Sequence, residues 1–463
     1  MGDSRQEQLN KIKGKYTTEG GQNVEDYNPH DYRETPHGTN FGETLIHVLK
    51  ASLGTGILAM PEAFKHAGII NGFLFTVIIG VVCTYGLHLL IRSQYVICKR
   101  LRVPYLSYPV AMKAALMYGP ESFAKFGTLA QILVDTFLIV YQTGACSVYI
   151  IFVSANILKL TNPYLEEPLS IEAYILMLFP FFIFILSIPN LKWLAPFSLL
   201  SNVLTFITFG ILLYFIFEAL PSLDGVSYFG DIKKFPLFVG TCLFAVAAVG
   251  CITSVEKNMQ HPSQFLLRYG ILNISMTVIV VTYALLGFLG YWRWKEVVCS
   301  SVTLNLQRST ASKLIQGMYA VAIYISYALN GYVPVDIIWN TYVSQEYHDS
   351  KYKLLWEYLI RFGIVLLTFV LAVSVPLLGL IISLFGAVCI PALELIFPAL
   401  MDICVKYPDQ FGKGKWVVIT DVLMILGGLI GIFSGAYTSI YEIVKELHKK
   451  HTAPGKSMIC ADE

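Results

Sequence analysis

The residues best suited to chemistry in this chain sit in an apolar stretch that cannot remain one helix. Residues 44–66 read TLIHVLKASLGTGILAMPEAFKH, with Ser52, Gly54, Thr55, Gly56 and Pro61 crowding the middle. Each glycine weakens a helix interior by about 1 kcal/mol, and proline removes a backbone donor. In hydrocarbon every freed N–H and C=O must find a partner, so such a break is costly unless it binds something. The amides from about Gly56 onward lie at the positive end of a half-helix and favour an anionic group. Carbonyls freed near Ser52–Gly54 can accept a cationic one, and Gly54 and Gly56 place no side chain between backbone and ligand. Close helix packing is the competing use of two glycines. The convergence of Ser, Gly, Thr and Pro on one short stretch favours binding.

Two titratable groups stand near enough to matter. His47 precedes Gly54 by two helical turns and projects from roughly the same face. Its ordinary pKa lets it change charge between neutral and acidic compartments, so it reads either as a proton relay or as a neutral, hydrogen-bonded histidine. Asp135 is a carboxylate in mid-span, an expensive placement that usually signals function. Its readings are proton transfer, a structural hydrogen bond, or an ion pair with a residue such as Lys50. Lys50 itself is expected to reach for the headgroups. Asp336 and Asp421 fall near span ends, where solvation is the default. Glu394, just after Pro391, lies deeper.

The elements that must position these residues are hydrophobic helices. Of 463 residues, 55% are hydrophobic and only 14% charged, against about 25% charged in a soluble domain; mean hydropathy is +0.61. The chain therefore reads as an all-α polytopic membrane protein whose bulk partner is the lipid bilayer. Eleven apolar segments, each near the roughly 20 residues that span a bilayer, fall at about 44–66, 69–97, 122–158, 172–189, 197–218, 235–255, 271–292, 314–341, 354–374, 376–402 and 416–443. Residues 1–43 are polar and expected to be disordered, and 444–463 form a polar carboxyl tail. Lys and Arg are more frequent in the loops that follow even-numbered spans (Lys99, Arg100 and Arg102, for example). That bias predicts a cytosolic amino terminus, although Lys445, Lys449 and Lys450 dissent.

No phosphate loop, zinc-type cysteine spacing or basic stripe with interleaved aromatics is present, so no nucleic acid, metal or cofactor is expected. No His-x-x-x-His, Gly-x-Ser-x-Gly or Asp-Asp cluster points to an enzyme. Of the nine cysteines, most fall in spans, where they behave as small hydrophobes. Only Cys299 and Cys460 lie clearly outside, and a disulfide between them is the minority reading.

The sixth segment, from Pro236, is also rich in small residues, including Gly240, Ala245, Ala247, Ala248 and Gly250. It lies five spans after the first, and five is odd, so two such repeats have opposite topology. Paired interrupted helices in inverted repeats are the sequence pointer to a transporter binding site. The predicted architecture is an inverted five-plus-five repeat of the LeuT-like kind, about 44–218 and 235–402, with one extra helix at 416–443. Span six would add free backbone and room for a small side chain through Ala247 and Ala248. Phe244, Tyr141, Gln142, Tyr327 and Asn330 are further lining candidates.

The run His47-Val-Leu-Lys50-Ala-Ser-Leu-Gly54-Thr-Gly56-Ile-Leu-Ala-Met-Pro61 resembles the proton-coupled amino acid transporter family, within the amino acid/auxin permease group. Val134 to Tyr149, Ser301-Val-Thr303-Leu-Asn305-Leu and Tyr327-Ala-Leu-Asn330-Gly-Tyr-Val-Pro334 are similar to its third span, its loop before span eight and its eighth span. The resemblance covers roughly residues 40–440. It implies symport of small neutral amino acids with protons, in a plasma or lysosomal/endosomal membrane, with the family's proton-coupling histidine falling on His47. Two features depart from the family pattern. Val246-Ala247-Ala248 replaces a frequent Phe-Glu-Gly in span six, leaving Glu394 as a candidate substitute, and the family's extracellular disulfide lacks its cysteines. An amino acid sensor that transports slowly is the alternative.

Overall fold

The computed structural model describes residues 2–16, 27–33, 38–52, 54–188, 191–218, 220–307, 309–343, 352–408, 411 and 415–452, all in helices and connecting loops apart from one isolated bridge between Thr39 and Met259. Among these residues nine helices are long and apolar enough to cross a membrane, and a bent pair, Phe41–Lys50 with Thr55–Ala67, makes a tenth. The protein is an all-α polytopic membrane protein. One expected span is short: Ile171–Leu186 has 16 residues, about 24 Å of helix against a hydrocarbon layer of about 30 Å. The expected ninth and tenth spans separate between Ser374 and Leu378, around Pro376, as Lys353–Ser374 and the run beginning at Leu378.

Small residues set the spacing of the inner helices. A Cβ on Gly240 would sit 2.3 Å from the Ser383 carbonyl oxygen, and one on Gly386 would sit 2.0 Å from the Gly240 oxygen. Helix Phe235–Val246 therefore lies directly on Leu378–Ile390. Phe64, fully buried, fills the notches left by Gly72 and Gly287, which ties the second half of the first span to spans two and seven. The last helix, Trp416–Thr452, instead exposes Leu423, Ile430, Phe433 and Tyr437. An outward apolar face of that kind suits a lipid boundary.

Part of the amino-terminal stretch expected to be disordered is structured. Gly2–Tyr16 is helical, with Leu9 buried, and Pro29–Tyr32 forms a 3-10 turn. Arg33 binds Glu256 Oε1 at 2.8 Å and also donates to the Pro104 carbonyl, with both charged side chains buried. Thr39 exchanges backbone hydrogen bonds with Asn258 and Gln260. The chain thus meets the end of the sixth span before the first span begins.

Cys299 is disulfide-bonded, as only the minority reading allowed, while the other seven described cysteines are free. Cys460 lies outside the described residues.

Candidate functional site

The first span breaks where its glycines predict. Helix Phe41–Ser52 ends, the chain turns, and helix Thr55–Ala67 starts at Gly54, the two halves bent by 53°. Gly54 caps the second half with no side-chain hydrogen bond, so its leading amides have no side-chain acceptor. The sixth span breaks in the same manner: helix Phe235–Val246 ends, Ala247 and Ala248 adopt non-helical conformations, and helix Val249–Lys257 follows.

The two breaks open on one cavity of about 470 Å³. Of the predicted site residues, His47, Ser52, Gly54, Thr55, Gly56, Phe244, Ala247 and Ala248 all line it. Asp135 does not. It is buried, accepts a hydrogen bond from the Tyr342 hydroxyl at 2.9 Å and has no ion pair with Lys50 among the described residues. Its surroundings match the structural hydrogen bond weighed for it. Lys50, expected at the headgroups, lines the cavity. So do Tyr141, Gln142 and Asn330, whereas Tyr327 is buried elsewhere against Thr368.

The two glycines have different uses. A Cβ on Gly56 would lie 2.7 Å from the Ala245 Cα, so this glycine is required for the approach of the two broken spans. A Cβ on Gly54 would meet only the Tyr149 hydroxyl, at 3.5 Å, an ordinary contact. Gly54 is therefore free for a ligand, and packing explains Gly56.

The polar groups around the cavity form a complementary set. The Thr55 hydroxyl and the Gln142 side-chain oxygen are buried with no hydrogen-bond partner. Unpartnered buried polar groups are uncommon and call for a ligand or water. The leading amides of helix Thr55–Ala67, which no described side chain caps, offer partial positive charge, and the carbonyl end of helix Phe235–Val246 offers partial negative charge. The Ser52 carbonyl is less available than expected, because it accepts from the Tyr283 hydroxyl and from the Gly54 N–H. His47 is exposed into the cavity and has no hydrogen-bond partner among the described residues.

The second half of span six differs from that of span one in a way that sequence reasoning left unassigned. Glu394 Oε1 accepts the N–H groups of Ala248 at 2.9 Å and Val249 at 3.0 Å. A protein carboxylate thus occupies one half-helix amide end, while no described side chain caps the other. Glu394 lies in a π-helical segment, Pro391–Ile396, and such widened turns recur at functional sites.

A polytopic bundle with two interrupted helices around one shared cavity has the architecture of a secondary transporter. The chain belongs to the transmembrane amino acid transporter protein family, whose model matches residues 37–441. It is 32% identical to the "Proton-coupled amino acid transporter-like protein pathetic" of Drosophila melanogaster, over 91% of this chain and 88% of that protein. It is 24% identical to "Amino acid transporter AVT3A" of Arabidopsis thaliana, over 87% of this chain and 90% of that protein. Among solved structures it resembles the inward-facing conformation of Mhp1, with a TM-score of 0.50 and 11% identity, covering 94% of this chain and 96% of that one. The protein is accordingly a secondary transporter of amino acids, and not an enzyme.

Proposed function

We propose that the protein carries small neutral amino acids together with protons, by alternating access around the two helix breaks. The observation that carries this reading is the open amide end of Thr55–Ala67 facing, across one cavity, the carbonyl end of Phe235–Val246. A free amino acid presents a carboxylate and an ammonium on one carbon. The carboxylate is held at the Gly54–Gly56 amides and the Thr55 hydroxyl, the ammonium by the carbonyls of span six. Phe244, Ala247 and Ala248 leave room for a small side chain. His47, open to the cavity, takes and releases the proton. We further infer eleven spans in a five-plus-five inverted repeat with a cytosolic amino terminus, in a plasma or lysosomal/endosomal membrane. One pH unit supplies about 1.4 kcal/mol and 100 mV about 2.3 kcal/mol per charge, sufficient to concentrate substrate.

Uptake of a labelled amino acid panel at acidic and neutral pH, in wild type and His47→Ala, tests this reading. Small neutral substrates should enter faster at acidic pH, and His47→Ala should lose that dependence. Equal wild-type uptake at both pH values would sink proton coupling.

A sensor remains the second reading, on one observation. The Arg33–Glu256 pair joins the amino-terminal segment to the helix that leaves the site, so a change at the span-six break has a direct route to the tail.

A further inference from the structure

Glu394 has no exposed surface. One oxygen, Oε1, binds the Ala248 and Val249 amides. Among the described residues the other, Oε2, has no partner within ordinary hydrogen-bond geometry, the Cys83 thiol lies near the carboxylate, and no Lys, Arg or His pairs with it. The titratable groups that act on it are neutral ones: Cys83 from span two, Tyr108 from the connecting helix, Tyr141 from span three and Cys251 from span six. Asp402 and Asp421, on later helices, face each other and Lys406.

A fully buried carboxylate with no counter-cation is held as an anion only by what donates to it. Here that is the amide end of Val249–Lys257, where the partial positive charge of a half-helix favours an anion, together with the Cys83 thiol of span two. Protonation removes the reason for this contact, because charge-assisted hydrogen bonds are roughly twice as strong as neutral ones. Of the two residues so clamped, Ala248 lines the substrate cavity, next to Ala247, which lines it too. The clamp is also braced from behind: a Cβ on Gly86 would lie 1.9 Å from the Glu394 carbonyl oxygen, so span two packs directly on the turn that carries it.

We propose that Glu394 holds the transported proton that His47 exchanges with the cavity, and that the charge state of Glu394 sets whether the Val249–Lys257 half-helix is clamped to span ten or released. A proton arriving from the cavity adds to Oε2, giving a neutral carboxyl group that weakens its grip on the Ala248 and Val249 amides. Loss of that proton on the other side restores the carboxylate and the clamp. This assignment rests on the symport reading and names the group that links proton to substrate.

The test uses the full-length protein in liposomes, with labelled alanine as the probe and a lumenal pH dye. Wild type should accumulate alanine down an inward proton gradient and acidify the lumen as it does so. Glu394→Gln keeps an oxygen for the two amides but cannot ionise. It should lose gradient-driven accumulation at least tenfold while keeping alanine–alanine exchange within a few-fold of wild type. Glu394→Asp should keep both activities with a shifted pH midpoint. Proton movement with alanine in Glu394→Gln would overturn the assignment, as would loss of exchange in both variants when they remain monodisperse and thermally stable. If Glu394→Gln does not fold, the aspartate variant decides, and an unshifted midpoint counts against Glu394. Wild type that exchanges alanine without ever moving protons refutes symport itself, a separable result.

Discussion

A Cβ added to Gly56 would lie 2.7 Å from the Cα of Ala245, a distance side chains do not tolerate. The two broken spans pack there with no room for a side chain on Gly56. Gly56→Ala should therefore force the spans apart, at about 1–3 kcal/mol by analogy with overpacked cores. Purified Gly56→Ala should melt at a lower temperature than wild type. Gly54→Ala, which meets only Tyr149 at 3.5 Å, should melt as wild type does.

The cavity offers two buried polar atoms without partners, the Thr55 hydroxyl and the Gln142 oxygen. Thr55→Val keeps the shape and removes a hydrogen bond worth about 1 kcal/mol. It should raise KM for a small neutral amino acid roughly fivefold, with expression and melting temperature unchanged. An unaltered KM would place the ligand away from the first-span break.

Arg33 and Glu256 form a buried pair, with side chains 7% and 5% exposed. Removing one partner strands the other charge, which costs about 3–5 kcal/mol in comparable cases. Arg33→Ala should therefore destabilise more than the double variant Arg33→Met with Glu256→Gln. A double-mutant cycle on thermal stability reads the difference directly.

His30 stacks on Tyr95 at 4.8 Å between ring centroids. Burial, helped by Arg33 nearby and opposed by Asp31, pushes its pKa down to about 4. The undocked segment binds protons more readily, near the ordinary value of 6.5. Docking is then at full strength above pH 6.5, weakens as pH falls and levels off below about 4. Hydrogen exchange across Tyr27–Arg33 should quicken as pH drops from 7 to 5, after correction for the intrinsic rate, and His30→Gln should remove that dependence. An amino terminus in a neutral cytosol would stay docked.

Much of the site was visible in the sequence because local composition governs it. Ser52, Gly54, Thr55 and Gly56 in an apolar run must break a helix, and the alanines of span six mark the second break. What stayed hidden depends on partners distant in sequence. Asp135 reads as a buried charge, but nothing near it reveals Tyr342, 207 positions away. Glu394 is separated from Ala248 by 146 positions, and Arg33 from Glu256 by 223. The polar composition of residues 1–43 points to disorder because what Leu9 and Arg33 pack against is supplied by the rest of the bundle. Asp421 lies near a span end, where solvation is the default, yet it is fully buried, a fact set by the helix that carries Asp402 and Lys406.

The central claim is that the amide end at Gly54 holds the substrate, and direct binding tests it. Scintillation-proximity binding of labelled alanine should be saturable with purified wild type and lost in Gly54→Val, provided the variant melts at the wild-type temperature. Binding of alanine to a stable Gly54→Val with wild-type Kd would contradict it.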